Sequence, residues 1–126
     1  MPDQPVQGRD PLVIDAGELH HFITIQRASS APDSFGRSVN PVQWDEVYSG
    51  WAAIYSAGGR EAAMASHLVS AVTHVVKIRF SPAVKMRANM RVVYRGRYFT
   101  VSYVENVRER DFVLLLYCVE IDSGGI

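Results

Sequence analysis

The chain has 126 residues, 48% of them hydrophobic, and its 13 basic residues balance its 13 acidic residues. These values are those of one globular domain and exclude a wholly disordered protein. A single cysteine excludes an internal disulfide framework and agrees with a reducing compartment. The longest apolar run, eight residues from Phe112, is far shorter than the roughly twenty that a membrane helix needs. The first residues lack the basic-then-apolar pattern of a secretion signal.

The first half of the chain predicts an arm, two strands and a long loop. Residues 1–14, with early prolines and a glycine, predict a flexible N-terminal arm. Alternating β-forming residues predict a first strand over 20–27. Residues 28–41, rich in Ser, Pro, Asp, Gly and Asn, predict a loop that is longer than most connections. A second strand is predicted over 44–55, with a bulge at Gly50.

The second half predicts one helix and then four strands. Residues 60–70 contain helix-forming Ala and Met and a narrow apolar stripe that suits packing on a sheet. The predicted strands that follow are 72–80, 90–94, 97–104 and 112–121. Arg95 and Gly96 form the turn of a hairpin, because Gly96 accepts the positive φ that such turns require. Residues 123–126 predict a frayed C-terminus.

These elements predict a mainly β protein. The expected fold is a small antiparallel β-barrel of about six strands with one short helix packed on it. Residues 15–122 form this single barrel domain, which includes the long loop 28–41. The unbroken apolar run of the last strand predicts burial on both of its faces.

No group of residues predicts a catalytic, cofactor or metal site. The sequence contains no nucleophile elbow, Walker loop or dinucleotide fingerprint. His20 and His21 are neighbours on a strand and should face opposite sides, while His67 and His74 lack further ligands at suitable spacing. Cys118 lies in the apolar last strand, which favours core packing over a reactive thiol.

The charges are divided unevenly along the chain. Residues 62–104 contain no acid but hold seven of the 13 basic residues. A surface of one sign attracts an acidic partner or a polyanion. The candidate interface or DNA-channel residues are Lys77, Arg79, Arg91, Arg95 and Arg97. Hairpin register places Tyr94 and Phe99 toward the core, so only Tyr98 remains outside for base stacking. Phosphate contact and a salt-bridged interface with an acidic subunit both remain open.

Several short motifs occur in a fixed order between residues 17 and 120. They are GELHHFITIQR (17–27), DSFG (33–36) followed by Trp44, WAAI (51–54), GRE (59–61), TH (73–74), IRF (78–80), MRVVYRGRYF (90–99) and CVE (118–120). In this order and spacing the chain resembles the phage head–tail joining, or head-closure, protein family of tailed phages and gene transfer agents.

The resemblance implies a structural connector, not an enzyme. Such a protein is expected to form a ring of copies, usually a dodecamer, below the portal and its adaptor, where it closes the DNA-filled head and docks the tail. The implied partners are further copies, the portal or adaptor protein, and a tail terminator or other tail-side protein. Non-specific contact with packaged DNA is also implied, and no membrane is involved. The expected location is the neck of the particle, after assembly in the bacterial cytoplasm.

The long loop is the candidate element for the channel or for an adjoining partner. Its candidate residues are Asp33, Ser34, Phe35, Gly36 and Arg37, in a segment whose composition suits ordering on assembly. A different function also fits the residues alone. In that alternative, the chain is a barrel-type, OB-like protein that binds single-stranded nucleic acid and grips phosphates with the same basic residues.

Overall fold

The computed structural model describes residues 10–29, 43–57 and 72–122. Within these ranges it contains β1 (His21–Ala28), β2 (Trp44–Ser56), β3 (His74–Arg79), β4 (Arg91–Tyr94), β5 (Arg97–Asn106), a 3-10 turn (Val107–Glu109) and β6 (Val113–Ile121). Each predicted strand is present, with ends that differ by a few residues. The predicted helix at 60–70, the loop residues 33–37 and the C-terminal residues 123–126 lie outside the described residues. Among the described residues, no helix is long and apolar enough to span a membrane.

The six strands close into a barrel. Each strand is antiparallel to both of its neighbours, in the order β1–β2–β3–β6–β5–β4, and β4 pairs with β1 to complete the circle. This topology confirms the predicted mainly β antiparallel barrel. In this order, β1 lies opposite β6 and β2 lies opposite β5.

The barrel has two distinct ends. At the loop end, β1, β3 and β5 finish and β2, β4 and β6 begin, as follows from their antiparallel pairing. The connection between β3 and β4 folds over this end, and its Met86, together with Met90, packs into the interior. The opposite end, called the turn end, carries the Arg95–Gly96 turn between β4 and β5.

The barrel interior is filled by alternate residues of the strands, as the period of two requires. Ile23 and Ile25 of β1 are fully buried, whereas Phe22, which immediately precedes Ile23, points outward and is exposed. The interior cluster comprises Ile23, Ile25, Ala52, Val76, Ile78, Met86, Met90, Val92, Phe99, Val101, Leu114, Leu116 and Cys118.

Strand β6 is buried on both faces, as its apolar run predicted. Its other face belongs to a second, outer cluster, which comprises Val72, Val75, Val107, Val113, Leu115 and Tyr117. Leu12 and Ile14 pack against this outer cluster. Residues 10–14, which the sequence analysis placed in the flexible arm, therefore lie on the barrel, so the packed part of the chain begins before residue 15.

The β4–β5 hairpin has the predicted register. Val92 pairs with Phe99, and Arg91 pairs with Thr100. Both turn residues have left-handed backbones, with φ of 48° at Arg95 and 77° at Gly96. Two consecutive positive φ angles define the turn class whose twist matches a right-twisted hairpin.

The bulge in β2 lies at Val47, so its predicted position at Gly50 is wrong. Pairing passes from Ile25–Tyr48 directly to Gln26–Glu46, which leaves Val47 as the extra residue. Gly50 has a different effect. A Cβ atom at this position would lie 2.7 Å from the Tyr48 hydroxyl oxygen, so a larger residue would require the end of the Tyr48 side chain to move.

Candidate interaction surfaces

Lys77 is buried and paired inside the protein. Its side chain is 1% exposed, although strand alternation correctly places it on the outer face of β3. The Nζ atom lies 3.1 Å from both carboxylate oxygens of Glu18 and donates a hydrogen bond of 2.6 Å to the Val13 carbonyl. The segment that precedes β1 thus covers this lysine. We therefore remove Lys77 from the exposed basic surface that the sequence predicted.

Glu18 is held in its charged form at this buried site. Burial acts to raise the pKa of Glu18, but hydrogen bonds from the Tyr55 hydroxyl, the Asp15 backbone N–H and Lys77 outweigh it. The net result is a pKa below the ordinary value. The Glu18–Lys77 ion pair therefore fastens residues 13–18 to the barrel wall.

Arg91 is held between two aromatic rings. Its guanidinium carbon lies 3.9 Å from the ring centroid of Trp44 and 4.6 Å from that of Tyr98. Its Nε atom donates a hydrogen bond of 2.7 Å to the Gln26 side-chain oxygen. Burial lowers the pKa of Arg91, because desolvation disfavours the cation. This arginine therefore stabilises the packing of four strands, β1, β2, β4 and β5, and presents little charge to a partner.

Arg97 belongs to an ion-pair network at the turn end. Its Nε and Nη2 atoms donate hydrogen bonds of 2.9 and 3.1 Å to the two carboxylate oxygens of Glu120. These bonds raise the pKa of Arg97 and lower that of Glu120. His74 lies beside the pair, 2.9 Å from the Thr73 hydroxyl through Nδ1, and its ring packs edge-on against Phe99. Most of the Arg97 charge is thus already balanced.

Arg79 and Arg95 are exposed and form no ion pair with a described residue. Strands β1 and β2 lie between β3, which carries Arg79, and β4, which leads into the Arg95 turn. They carry two of the most exposed large hydrophobic residues of the protein, Phe22 (52% exposed) and Trp51 (57% exposed). Phe22 and Trp51 are paired across β1 and β2, with ring centroids 5.2 Å apart in an edge-on arrangement. An exposed aromatic pair of this kind is typical of a protein contact surface.

A basic cleft opens at the loop end of the barrel. Its volume is about 410 Å³, and it lies between the end of β1, the bulge of β2 and the β3–β4 connection. Val47, Val84 and Met90 provide apolar walls. The cations that line it are Arg27, Lys85 and Arg87, all exposed and without an ion pair among the described residues.

An acidic rim lies at the same end, on β5 and the connection to β6. It consists of Glu105, Glu109 and Asp111, which border an open depression that Tyr103 also lines. Arg108 lies among them, but it donates a hydrogen bond of 3.1 Å to the Asp10 carboxylate, so its charge is balanced. The rim therefore keeps a net negative charge.

The predicted basic site is thus distributed over separate environments. Lys77 is internal, Arg91 is stacked and Arg97 is ion-paired, while Arg79 and Arg95 remain exposed. The structure does not bring these five residues together in one patch. The interface role of the exposed members remains a prediction, and the loop candidates Asp33, Ser34, Phe35, Gly36 and Arg37 lie outside the described residues.

Sequence reasoning missed the aromatic pair and the basic cleft. The aromatic pair had a signal, because Phe22 alternates with the buried Ile23 and Ile25 and must point outward. The cleft had none, since Arg27 and Arg87 are far apart in sequence and meet only through the fold of the β3–β4 connection.

The histidines and the cysteine have structural environments. The rings of His20 and His21 lie 4.1 Å apart, so the expectation that they face opposite sides is wrong. His20 precedes β1 and is free of strand alternation. In the described ranges, no group of three or more His, Cys, Asp or Glu residues could hold a metal ion. Cys118 is fully buried, and burial raises the pKa of its thiol.

The comparison with known families decides the identity of this barrel. The family model described as phage head completion protein matches residues 14–121, which include every strand of the barrel. The chain belongs to the phage head completion protein family. Members of this family are structural proteins of phage particles, so this head completion protein is virion-associated and contacts other virion proteins. No curated protein matches the chain.

Two solved structures share the fold of this head completion protein. Protein SF1141 from Shigella flexneri 2a superposes with a TM-score of 0.67 at 20% identity, covering 85% of this chain and 96% of that protein. A chain from the virion of a native gene transfer agent particle superposes with a TM-score of 0.59 at 20% identity, covering 82% of this chain and 96% of that chain.

Proposed function

We propose that this head completion protein is a connector at the neck of a phage or phage-like particle. In this role it forms a ring of copies, a dodecamer, below the portal or adaptor protein, closes the DNA-filled head and docks a tail-side protein. Assembly takes place in the bacterial cytoplasm. The observation that carries the proposal is the family match across the whole barrel. The function requires contact surfaces, and no bound substrate or cofactor.

The exposed aromatic pair supports a contact role. Phe22 and Trp51 stand on the outer wall, where solvent-exposed rings of this size are costly unless a partner covers them. We assign this pair to a contact with a neighbouring subunit of the particle. The exposed Arg79 and Arg95 would flank that contact and select an acidic neighbour.

The connector role is tested by complementation. In cells that produce the particle, removal of the gene should leave heads that lack tails, and a plasmid copy should restore tailed particles. A copy with Phe22→Ser and Trp51→Ser should keep the barrel fold by circular dichroism but fail to restore them. Val13→Ser, which changes another exposed apolar side chain, is the matched control. Normal tailed particles after gene removal would refute the connector role.

The long loop is proposed as the element that reaches the channel or an adjoining partner, through Asp33, Ser34, Phe35, Gly36 and Arg37. Deletion of residues 30–40 should then reduce DNA retention in completed heads, measured as DNA-filled particles after nuclease treatment. Full retention by the deletion variant would argue against a channel role for this loop.

The single-stranded nucleic-acid-binding alternative has less support from the described residues. Lys77 and Arg91, two of its five phosphate-binding candidates, are buried by protein contacts. Titration with a labelled single strand at two salt concentrations separates the two functions. Tight binding with a steep salt dependence would favour the alternative, because each phosphate contact releases a counterion.

A further inference from the structure

We propose that the acidic rim of one copy docks into the basic cleft of the next copy, so that neighbouring copies associate through two unlike surfaces. The rim is Glu105, Glu109 and Asp111, and the cleft is lined by Arg27, Lys85, Arg87 and the apolar Val47, Val84 and Met90. This inference rests on the proposed ring and names the two surfaces that would form its lateral contact.

Both surfaces have charges that remain available for a partner. None of the three cations of the cleft forms an ion pair within the described ranges. On the rim, Glu109 is exposed and forms no hydrogen bond with a described residue. Asp111 accepts a hydrogen bond from Asn106 through Oδ1, and Glu105 accepts one from Tyr117 through Oε1, which leaves a second oxygen on each carboxylate. Charge complementarity therefore favours a second copy as the occupant of the cleft.

The two surfaces lie on opposite sides of the barrel. The cleft is on the side of β1 and β2, the rim is on the side of β5 and β6, and the strand order places these pairs of strands opposite each other. A contact between unlike surfaces is heterologous, so each copy uses one surface for each neighbour. In a ring of about twelve copies, successive copies differ by a rotation of about 30°, which requires nearly opposite contact surfaces.

The two surfaces also lie at the same end of the barrel. The cleft borders the end of β1 and the β3–β4 connection, and the rim borders the end of β5 and the start of β6. Because the surfaces are at a similar height along the barrel axis, the step from one copy to the next is mainly a rotation. Such a step closes into a ring, whereas a step with a large translation would produce a helical filament.

The backbone of the rim is fixed in an unusual conformation. Arg108, Glu109 and Asp111 have positive φ angles of 52°, 51° and 55°. Left-handed backbones are disfavoured at residues other than glycine and collect at functional sites. The Asn106 side chain donates a hydrogen bond to the Asp111 carboxylate and accepts one from the Asp111 backbone N–H, and these two bonds hold the turn in place. The rim thus presents its carboxylates from a preformed turn, which lowers the entropy lost on docking.

Complementary charge reversal tests this contact. Arg87→Glu leaves the cleft with two cations and one carboxylate, and Glu109→Arg leaves the rim with two carboxylates and one cation, so a copy with either change attracts its own kind more weakly. A mixture of the two variants should associate better than either alone, because the altered cleft of one variant then meets the altered rim of the other, and the unaltered surfaces meet at the next contact. In the complementation system, each variant alone should lower the yield of tailed particles on the order of tenfold or more. The two variants produced together, or the double variant in one chain, should restore most of that yield.

Two exposed positions provide matched controls. Arg110→Glu makes the same change of charge as Arg87→Glu but on the rim side, and Asp122→Arg introduces a cation at the turn end. Both should support normal yields, and circular dichroism and thermal melting should show that every variant folds. The contact between rim and cleft would be overturned by a folded single variant with the wild-type yield, or by a folded pair of variants that does not restore the yield of tailed particles. Either result is compatible with the connector role.

Crosslinking separates this inference from the proposed function. A carbodiimide joins the Lys85 amine directly to a carboxylate that touches it, and a mixture of ¹⁴N- and ¹⁵N-labelled full-length chains identifies links between copies by mass spectrometry. Links from Lys85 to Glu109, Asp111 or Glu105 of another copy are expected and would support the contact even if gene removal left the particles tailed. Absence of these links at concentrations where copies crosslink elsewhere, or absence of any link between copies, would overturn it.

Discussion

Breaking the buried ion pair with Glu18→Gln should lower the stability of the barrel substantially. Removing one partner of a buried pair costs about 3–5 kcal/mol, because the remaining charge stays desolvated. Glutamine still accepts the Tyr55 hydrogen bond, and the Glu18 side chain keeps a tenth of its surface exposed, so we expect the lower end, about 3 kcal/mol. For a chain of this size, that loss corresponds to a fall in Tm of about 12 °C.

The pH dependence of this effect has a defined sign. The pKa of Glu18 is lowered in the folded protein from its ordinary value of 4.5. Its contribution to stability is therefore complete above pH 4.5 and is lost as the pH falls toward the folded pKa. The free energy of unfolding, measured by urea denaturation, should differ between wild type and Glu18→Gln at pH 7, and this difference should shrink below pH 4.5.

The control for this prediction is an exposed carboxylate. Glu46→Gln retains an acceptor for the Ser49 hydroxyl and should change stability by less than about 0.5 kcal/mol. Lys77→Met combined with Glu18→Gln should be less destabilised than the two single changes summed, because neither charge is then buried alone. A Glu18→Gln variant as stable as Glu46→Gln at pH 7 would refute the reasoning.

Three further predictions concern the turn, the stacked arginine and the cysteine. Gly96→Ala should cost about 1 kcal/mol in urea denaturation because φ at this position is 77°, and Gly96→Asn should cost less, since asparagine tolerates the left-handed region. Arg91→Lys should cost about 1–2 kcal/mol, since an ammonium cannot stack as a plane between Trp44 and Tyr98; a stability equal to that of wild type would contradict this role. The Cys118 thiol should react with a disulfide reagent at pH 8 on the order of a hundredfold more slowly in the native protein than in urea, and equal rates would show that burial does not protect it.

The sequence was sufficient to predict the strands because their chemistry is local. Alternation of apolar and polar residues located every strand, and the apolar run of β6 predicted its two buried faces. Gly96 identified the hairpin turn because a two-residue turn needs positive φ angles, and this requirement concerns only the adjacent residues Arg95 and Gly96. The bulge was misplaced because an isolated glycine has several uses, and at Gly50 it makes room for the Tyr48 ring.

The surface was less predictable because it depends on distant parts of the chain. Alternation placed Lys77 correctly on the outer side of β3, but Glu18, which neutralises it, lies 59 residues earlier. Likewise, Arg91 is covered by Trp44 from another strand. A count of basic residues therefore overstated the exposed charge, because no local sequence pattern shows which side chains are covered by distant parts of the chain.

The closed sheet determines how this protein can be recognised. Every strand of the described barrel has two hydrogen-bonded neighbours, so a partner cannot extend it by adding a strand of its own. In the proposed ring, copies can therefore lie side by side without templating fibrils. Specificity must instead reside in individual side chains, and a few substitutions would be enough for a related particle to evolve a head completion protein that no longer mixes with this one.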